Sequence, residues 1–280
     1  MTIDLVHLVW APLGPQPLRA FLSSYRAHPA GAEHELTILL NGAGENGPVT
    51  APERELLLAE LRGVEHRLIR LERPLLDLPA YGEAVARLER ERVCFVNSYS
   101  VVLADGWLGT LARALAEPSV GVAGASGSWE SHAGLMRGRL RHWPLQLVGW
   151  PRARREYPRF PNPHLRTNAF MLERRRLVEM RLTDAASKPA TYLLESGRGS
   201  ITRRIQAQGL RAVVVGRDGR VYDAREWPDS RTFRSGEQEN LLVADNQTRA
   251  YLQAGARERR LLARDAWGRT PALTAKRMRA

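Results

Sequence analysis

Residues 92–108 read Arg92-Val93-Cys94-Phe95-Val96-Asn97-Ser98-Tyr99-Ser100-Val101-Val102-Leu103-Ala104-Asp105-Gly106-Trp107-Leu108. A short apolar run ends in small polar side chains, and a helical pattern opens on Trp107. This arrangement predicts a buried strand of a parallel sheet. Such a strand delivers polar groups to its carboxyl end, where open α/β sheets bind their ligands. Cys94 is the single cysteine, so no disulfide can staple the fold. It reads as a small buried hydrophobe in a reducing compartment.

The same alternation extends on both sides. Strands are expected over Ile3–Trp10, Leu36–Leu40, His66–Leu71 and Val120–Ala125, and helices over 18–28, 52–61, 80–91 and 108–116. Strands alternating with helical patterns predict βαβ units and a mostly parallel sheet. Residues 126–163 are richer in Trp, Pro, Gly and Arg and read as irregular, with one helix around Leu135–His142. So long an irregular stretch inside a domain is usually functional. Beyond it, a strand is expected over Arg166–Leu172, helices over 174–180 and 200–208, and a strand over Arg211–Val215. Asp218-Gly219 signals a hairpin turn, and 240–263 is helical in part.

The chain has 280 residues and a formal net charge of +12. All its basic side chains are arginine except Lys188 and Lys276, a skew that matches codon bias and weakens a nucleic-acid reading. The charge also suits an anionic substrate. Clusters such as Arg152-Ala153-Arg154-Arg155 and Arg257-Glu258-Arg259-Arg260 suit peripheral contact with an anionic membrane face, or are plain solvated surface. No run of about 18 apolar residues and no signal-peptide pattern occurs, so a cytoplasmic protein is expected.

Residues 93–108 resemble the "FLDADD…WL" segment of family-2-type nucleotide-sugar glycosyltransferases, and the likeness extends as architecture over 1–215. It implies a GT-A-like, Rossmann-like α/β fold. The implied division is one domain over 1–265, with a nucleotide-sugar half (1–125), an acceptor half (126–265) and a basic tail (266–280). It also implies transfer of a sugar from a nucleotide diphosphate donor to a glycan or lipid-linked envelope acceptor, with inversion. In that family the segment's aspartates hold a divalent metal, and Asn97 and Tyr99 stand at the matching positions. Asn offers one uncharged carbonyl oxygen, and Tyr is a poor ligand for Mg²⁺ or Mn²⁺. The expectation is a metal-independent site in which an arginine carries the diphosphate charge. A degenerate site that only binds nucleotide or glycan is the alternative.

The resemblance places the nucleotide-sugar at the carboxyl ends of the first strands, by Pro12, Gly14, Asn41, Asp77, Tyr81, Asn97, Ser98 and Tyr99. Asn41 stands where the family has an acid. Asp77 resembles a second nucleotide-contacting acid, a helix N-cap being its plainer reading. Tyr192–Arg203 resembles the family's "ED…R" element, which implies Glu195 as the general base, with Ser196 in place of the second acid. The plainer reading of Glu195 is an acid at a helix entry. Trp129, Glu130, His164, Arg166, Asn168 and Arg198 are the expected acceptor-side residues. Trp129 suits stacking on a sugar face, or a core position. Residues 223–248 mix polar and aromatic groups and read as a closing loop.

Overall fold

The computed structural model describes residues 2–44, 47–135, 155–185 and 187–268. The helix expected around Leu135–His142, the cluster at 152–154 and the tail from 269 onward lie outside the described residues. Twelve strands are described: β1 (Ile3–Trp10), β2 (His34–Asn41), β3 (Arg67–Arg70), β4 (Arg92–Val96), β5 (Val101–Val102), β6 (Val120–Gly124), β7 (Gly127–Ser128), β8 (His164–Leu165), β9 (Ala169–Glu173), β10 (Arg211–Val215), β11 (Val221–Tyr222) and β12 (Val243–Ala244). The helices are α1 (Pro15–Ala27), α2 (Ala51–Ala59), α3 (Asp77–Val85), α4 (Trp107–Leu115), α5 (His132–Leu135), α6 (Arg174–Met180), α7 (Lys188–Ser196), α8 (Ile201–Ala207), α9 (Asn246–Gln253) and α10 (Ala256–Trp267).

The central sheet has eight strands in the order β11-β10-β6-β9-β4-β1-β2-β3. β1, β2, β3, β4, β6 and β10 run in one direction, and β9 and β11 oppose them. The fold is therefore α/β with a mostly parallel sheet flanked by helices. Buried on both faces, β1 reads almost continuously apolar, as parallel strands do. Its alternation still decides which core each residue joins. Ile3, Leu5 and Val9 pack with Phe21, Leu22, Trp107 and Leu111, whereas Val6 and Leu8 pack with Tyr81, Val85 and Phe170. Cys94 is buried in the first of these cores, as expected of a small hydrophobe.

The chain leaves β1 in one direction to form β2 and β3, and in the other to form β4. The switch in strand order falls between β1 and β4, and it is outside the carboxyl ends at such a switch that open α/β sheets take their ligands. The backbone N–H of Trp10 donates to Ser98 Oγ at 3.0 Å and fixes the two strand ends against each other. On the far side of α1, the loop at Gly31 and the first turn of α4 touch. A Cβ on Gly109 would lie 2.3 Å from the Gly31 carbonyl oxygen, so only glycine allows that approach.

Three local expectations are corrected. The third helix starts at Asp77 and ends at Val85 instead of running from 80 to 91. Its continuation is prevented because buried Asp4 accepts from the Glu89 and Arg90 backbone N–H groups at 3.2 and 2.9 Å. The strand expected over 166–172 is broken, since Arg166, Thr167 and Asn168 turn out of line between β8 and β9. Finally, Tyr192–Ser196 is helical, so Glu195 sits in the last turn of α7 and not where a strand meets a helix entry.

Candidate functional site

The rim at the carboxyl ends of β1, β2 and β4 is made of short polar side chains bonded within the protein. Asn41 ends β2 and is fully buried. Its Nδ2 donates to the Leu75 carbonyl at 2.7 Å, and its Oδ1 accepts from the Leu75 N–H at 3.0 Å. Asn97 ends β4, and its Oδ1 accepts from the Tyr99 N–H and from Ser100 Oγ, both at 3.1 Å. This is an Asx turn, in which the side chain stands in for backbone. Pro12 lies in a 3₁₀ turn that follows β1, and Gly14 (φ 70°) starts α1. Pro12 and the Trp10 ring also crowd Gly42, which leaves no room there for a Cβ.

The family's metal is tested by this geometry. The Asn97 side-chain oxygen already accepts two hydrogen bonds, its backbone carbonyl accepts from the Ser100 N–H, and a tyrosine is a poor ligand for a hard cation. Among the described residues, no three His, Cys, Asp or Glu side chains form a metal-binding group. The residues present do not fit a divalent cation at this loop.

The turn between β8 and β9 joins this rim directly. Val96 pairs with Ala169, and the Asn97 N–H donates to the Asn168 carbonyl at 3.0 Å. The neighbouring Thr167 donates from Oγ1 to Glu195 Oε1 at 3.0 Å, with its N–H at 3.4 Å. A short bridge thus connects the β4 loop to the half-buried Glu195 carboxylate. Glu195 lies at the exit of α7, where the helix dipole disfavours a carboxylate, so helix-entry stabilisation does not account for it. Asn162 clamps the region by donating to the Ser196 carbonyl at 2.7 Å and the Glu130 carbonyl at 3.3 Å.

Glu195 is the charge shared by most ionisable groups here. Asp77 is the first residue of α3, whose N-cap is Leu76, so the capping explanation for Asp77 fails. The residue as a whole is exposed, yet its carboxyl is desolvated by the surrounding protein. That desolvation, and then the charge of Glu195, pushes its pKa up to about 6. Tyr81, in the same helix, is fully buried and stacked on Phe95, and its hydroxyl has no hydrogen-bond partner among the described residues. Burial, then Asp77, Cys94 and Glu195, hold that phenol well above its ordinary value.

Two histidines complete the group. His164 is buried, and its Nδ1 donates to the Asn162 carbonyl at 2.8 Å, which leaves Nε2 as the basic nitrogen. Burial holds His164 below its ordinary pKa, against the opposing effect of Glu195 and Glu130. His132 is lowered in the same way. Its ring centroid lies 5.0 Å from that of Tyr157 and 5.4 Å from that of Tyr192. Burial, then Glu156, Tyr192 and Glu195, push Tyr157 up to about 12. Thr167 was expected to line this cleft with His164, Arg166 and Asn168, whereas His132 and Tyr157 were not among the expected site residues. No spacing in the sequence joins them to Glu195, because the contacts form only on folding.

The other expected acceptor residues are tied into the framework. Arg166 is buried and donates to Asp245 Oδ2 at 2.6 Å, with its guanidinium 4.1 Å above the Phe233 ring. Asn168 accepts from Ser126 Oγ at 2.8 Å and donates to the Val243 carbonyl at 3.3 Å. Glu130 pairs with Arg234 at 2.8 Å. Trp129 donates to the Ala224 carbonyl at 2.8 Å and packs edge-on against Phe160 and Trp267. Arg198 is exposed and donates to the Arg155 carbonyl at 2.9 Å.

No protein-family model matches this chain, and no curated protein matches it. Similar solved structures are glycosyltransferases at low identity. Glucosyl-3-phosphoglycerate synthase from Mycobacterium tuberculosis, in complex with Mn²⁺, UDP and glucosyl-3-phosphoglycerate, is 15% identical with a TM-score of 0.38. That match covers 62% of this chain and 57% of the other. The mannosyltransferase PcManGT from Pyrobaculum calidifontis, with GDP-Man and Mn²⁺, is 15% identical with a TM-score of 0.46, covering 99% and 78%. The galactosyltransferase LgtC, with donor and acceptor sugar analogs, is 10% identical with a TM-score of 0.48, covering 98% and 99%. The chain spans little more than half the length of the first of these.

Proposed function

We propose that this chain transfers a sugar from a nucleotide diphosphate donor to a glycan or lipid-linked acceptor, with inversion and with Glu195 as the general base. The observation that carries this reading is the bridge from Asn97 through Asn168 and Thr167 to Glu195. It sets a carboxylate beside the crevice at the strand-order switch, where open α/β sheets take nucleotides. In this reading the donor lies between the strand ends that carry Pro12, Asn41 and Asn97. The acceptor enters past His132 and Tyr192, and Glu195 takes the proton of its hydroxyl. Thr167 holds one carboxylate oxygen and leaves the other to the acceptor.

A second reading, a binding protein without turnover, is favoured by one observation. The Asn97 carbonyl is locked in its Asx turn, so the family's usual charge at that loop is missing. One experiment separates the two. UDP-, GDP-, CMP- and dTDP-sugars are screened for thermal stabilisation, which ligand binding produces by mass action, and then for consumption. The proposed function expects one donor both to raise the melting temperature and to be consumed. Stabilisation without consumption selects the binding reading. Neither effect with any donor rejects both.

A further inference from the structure

The missing charge at the β4 loop has a replacement in the fold. β12 pairs antiparallel with β5, and this small ribbon brings the start of α9 beside residues 97–100. Asp245, the N-cap of α9, forms a capping box with Thr248. It also pairs with Arg166 at 2.6 Å, with the two side chains 2% and 7% exposed. The first turn of α9 is therefore held in three ways, and the next residue along, Arg249, is placed accurately. Its Nη1 donates to the Tyr99 carbonyl at 3.0 Å.

Arg249 differs from Arg166 and Arg234, the other arginines that border this end of the sheet through buried or half-buried side chains paired to a carboxylate. Arg166 is neutralised by Asp245 and Arg234 by Glu130. Arg249 is half-buried and has no carboxylate within ion-pair distance among the described residues. Among the described residues its Nε and Nη2 make no hydrogen bond, and the side chain is partly open to solvent. A guanidinium with one donor fixed on a loop carbonyl and the rest of its fork open suits a phosphate oxygen.

We propose that Arg249 binds the diphosphate of the donor and takes the electrostatic role that a divalent cation plays at this loop in metal-dependent relatives. This rests on the transfer reading above. As the acceptor oxygen bonds to the anomeric carbon, the bond from that carbon to the diphosphate oxygen breaks. Its electron pair leaves on that oxygen, and the acceptor proton passes to Glu195. Arg249 meets the charge that develops on the departing diphosphate. It is the donor-side counterpart of the carboxylate across the crevice.

The test is calorimetric titration of the full chain with UDP, GDP and dTDP, and with the corresponding nucleosides, in EDTA. The wild type should bind one of the diphosphates with chelator present. Arg249→Gln should weaken that binding about tenfold or more, as loss of a charge-assisted bond does, and leave nucleoside affinity unchanged. Arg249→Lys keeps the charge but cannot span carbonyl and phosphate together, so it should fall between the two. The Lys variant carries the test if the Gln variant melts early. Equal affinity in the wild type and both variants overturns the role of Arg249 and leaves the transfer reading standing. So does binding by the wild type that requires Mn²⁺. Failure of the wild type to bind any of the diphosphates, with or without Mn²⁺, overturns the transfer reading itself.

Discussion

The two rims of the candidate site are built on opposite terms. On the rim at the ends of β2 and β4, Asn41, Asn97 and Ser98 are uncharged, and each has its side-chain oxygen bonded to nearby backbone or hydroxyl groups. On the rim that carries Glu195, that carboxylate bears on His132 and His164, both of which burial holds below their ordinary pKa. A wall of saturated hydrogen bonds supplies shape, because moving any one group leaves a buried polar atom without a partner. Histidines gathered around one carboxylate supply proton chemistry. The framework side should therefore answer substitution with lost stability, and the acid–base side with lost turnover.

The sharpest test of the framework half is the ion pair that locks α9 to the turn after β8. Burial alone would raise the Asp245 carboxyl, but Arg166 and the Thr248 hydrogen bonds hold it below its ordinary value. Asp245→Ala leaves the Arg166 guanidinium buried without a counter-charge and removes the α9 cap. Stability should fall by about 3–5 kcal/mol, the usual result of stripping one partner from a buried pair. Urea midpoints measure this directly. A loss below about 1 kcal/mol would mean that water reaches the pair and that the rim is not rigid.

The matching test of the acid–base half is Glu195→Gln. The amide oxygen can still accept from Thr167, so the fold and donor binding should be preserved. Transfer should drop by roughly a hundredfold or more, the contribution of a general base. Melting curves and initial rates are read on the same preparation. A variant that keeps more than half its activity would return Glu195 to a structural role, and His164 would become the next base to examine.

The parallel sheet and its neighbours were legible because β1, β2, β4 and β6 are short apolar runs closed by turn residues. A buried strand has few other solutions. The insertion of antiparallel β9 between β4 and β6 was not legible, since Ala169–Glu173 carries the same apolar pattern in either direction. Glu195 was found through its resemblance, yet its local structure was misread. Tyr192–Leu194 is too short for periodicity to separate strand from helix, and the deciding signals are Ser187 as N-cap and Pro189 in the first turn. Arg249 left no signal at all. One arginine among so many stands out only when its pairing is known, and pairing is a tertiary fact.

The smallest expected effect concerns the group that stands between the rims. Asp77 has a folded-state pKa of about 6, against an ordinary value of 3.8. Between those values the folded chain holds a proton that the unfolded chain has released. Unfolding then releases protons, so stability falls as pH rises from about 4 to about 6 and levels off above that. Asp77→Asn removes the titration and keeps the shape. Its stability relative to the wild type should therefore climb across that window and stay constant from about pH 7 upward. The gain should be modest, because the residue as a whole is exposed and solvent screens its charge. Urea midpoints of both proteins at unit steps from pH 4 to pH 8 give the difference curve. A flat curve would place Asp77 in open solvent, outside the influence of Glu195. A curve that rises as predicted shows that the fold desolvates the Asp77 carboxyl at the start of α3, and any part of the rise that disappears when Glu195→Gln is the background is the part that Glu195 contributes.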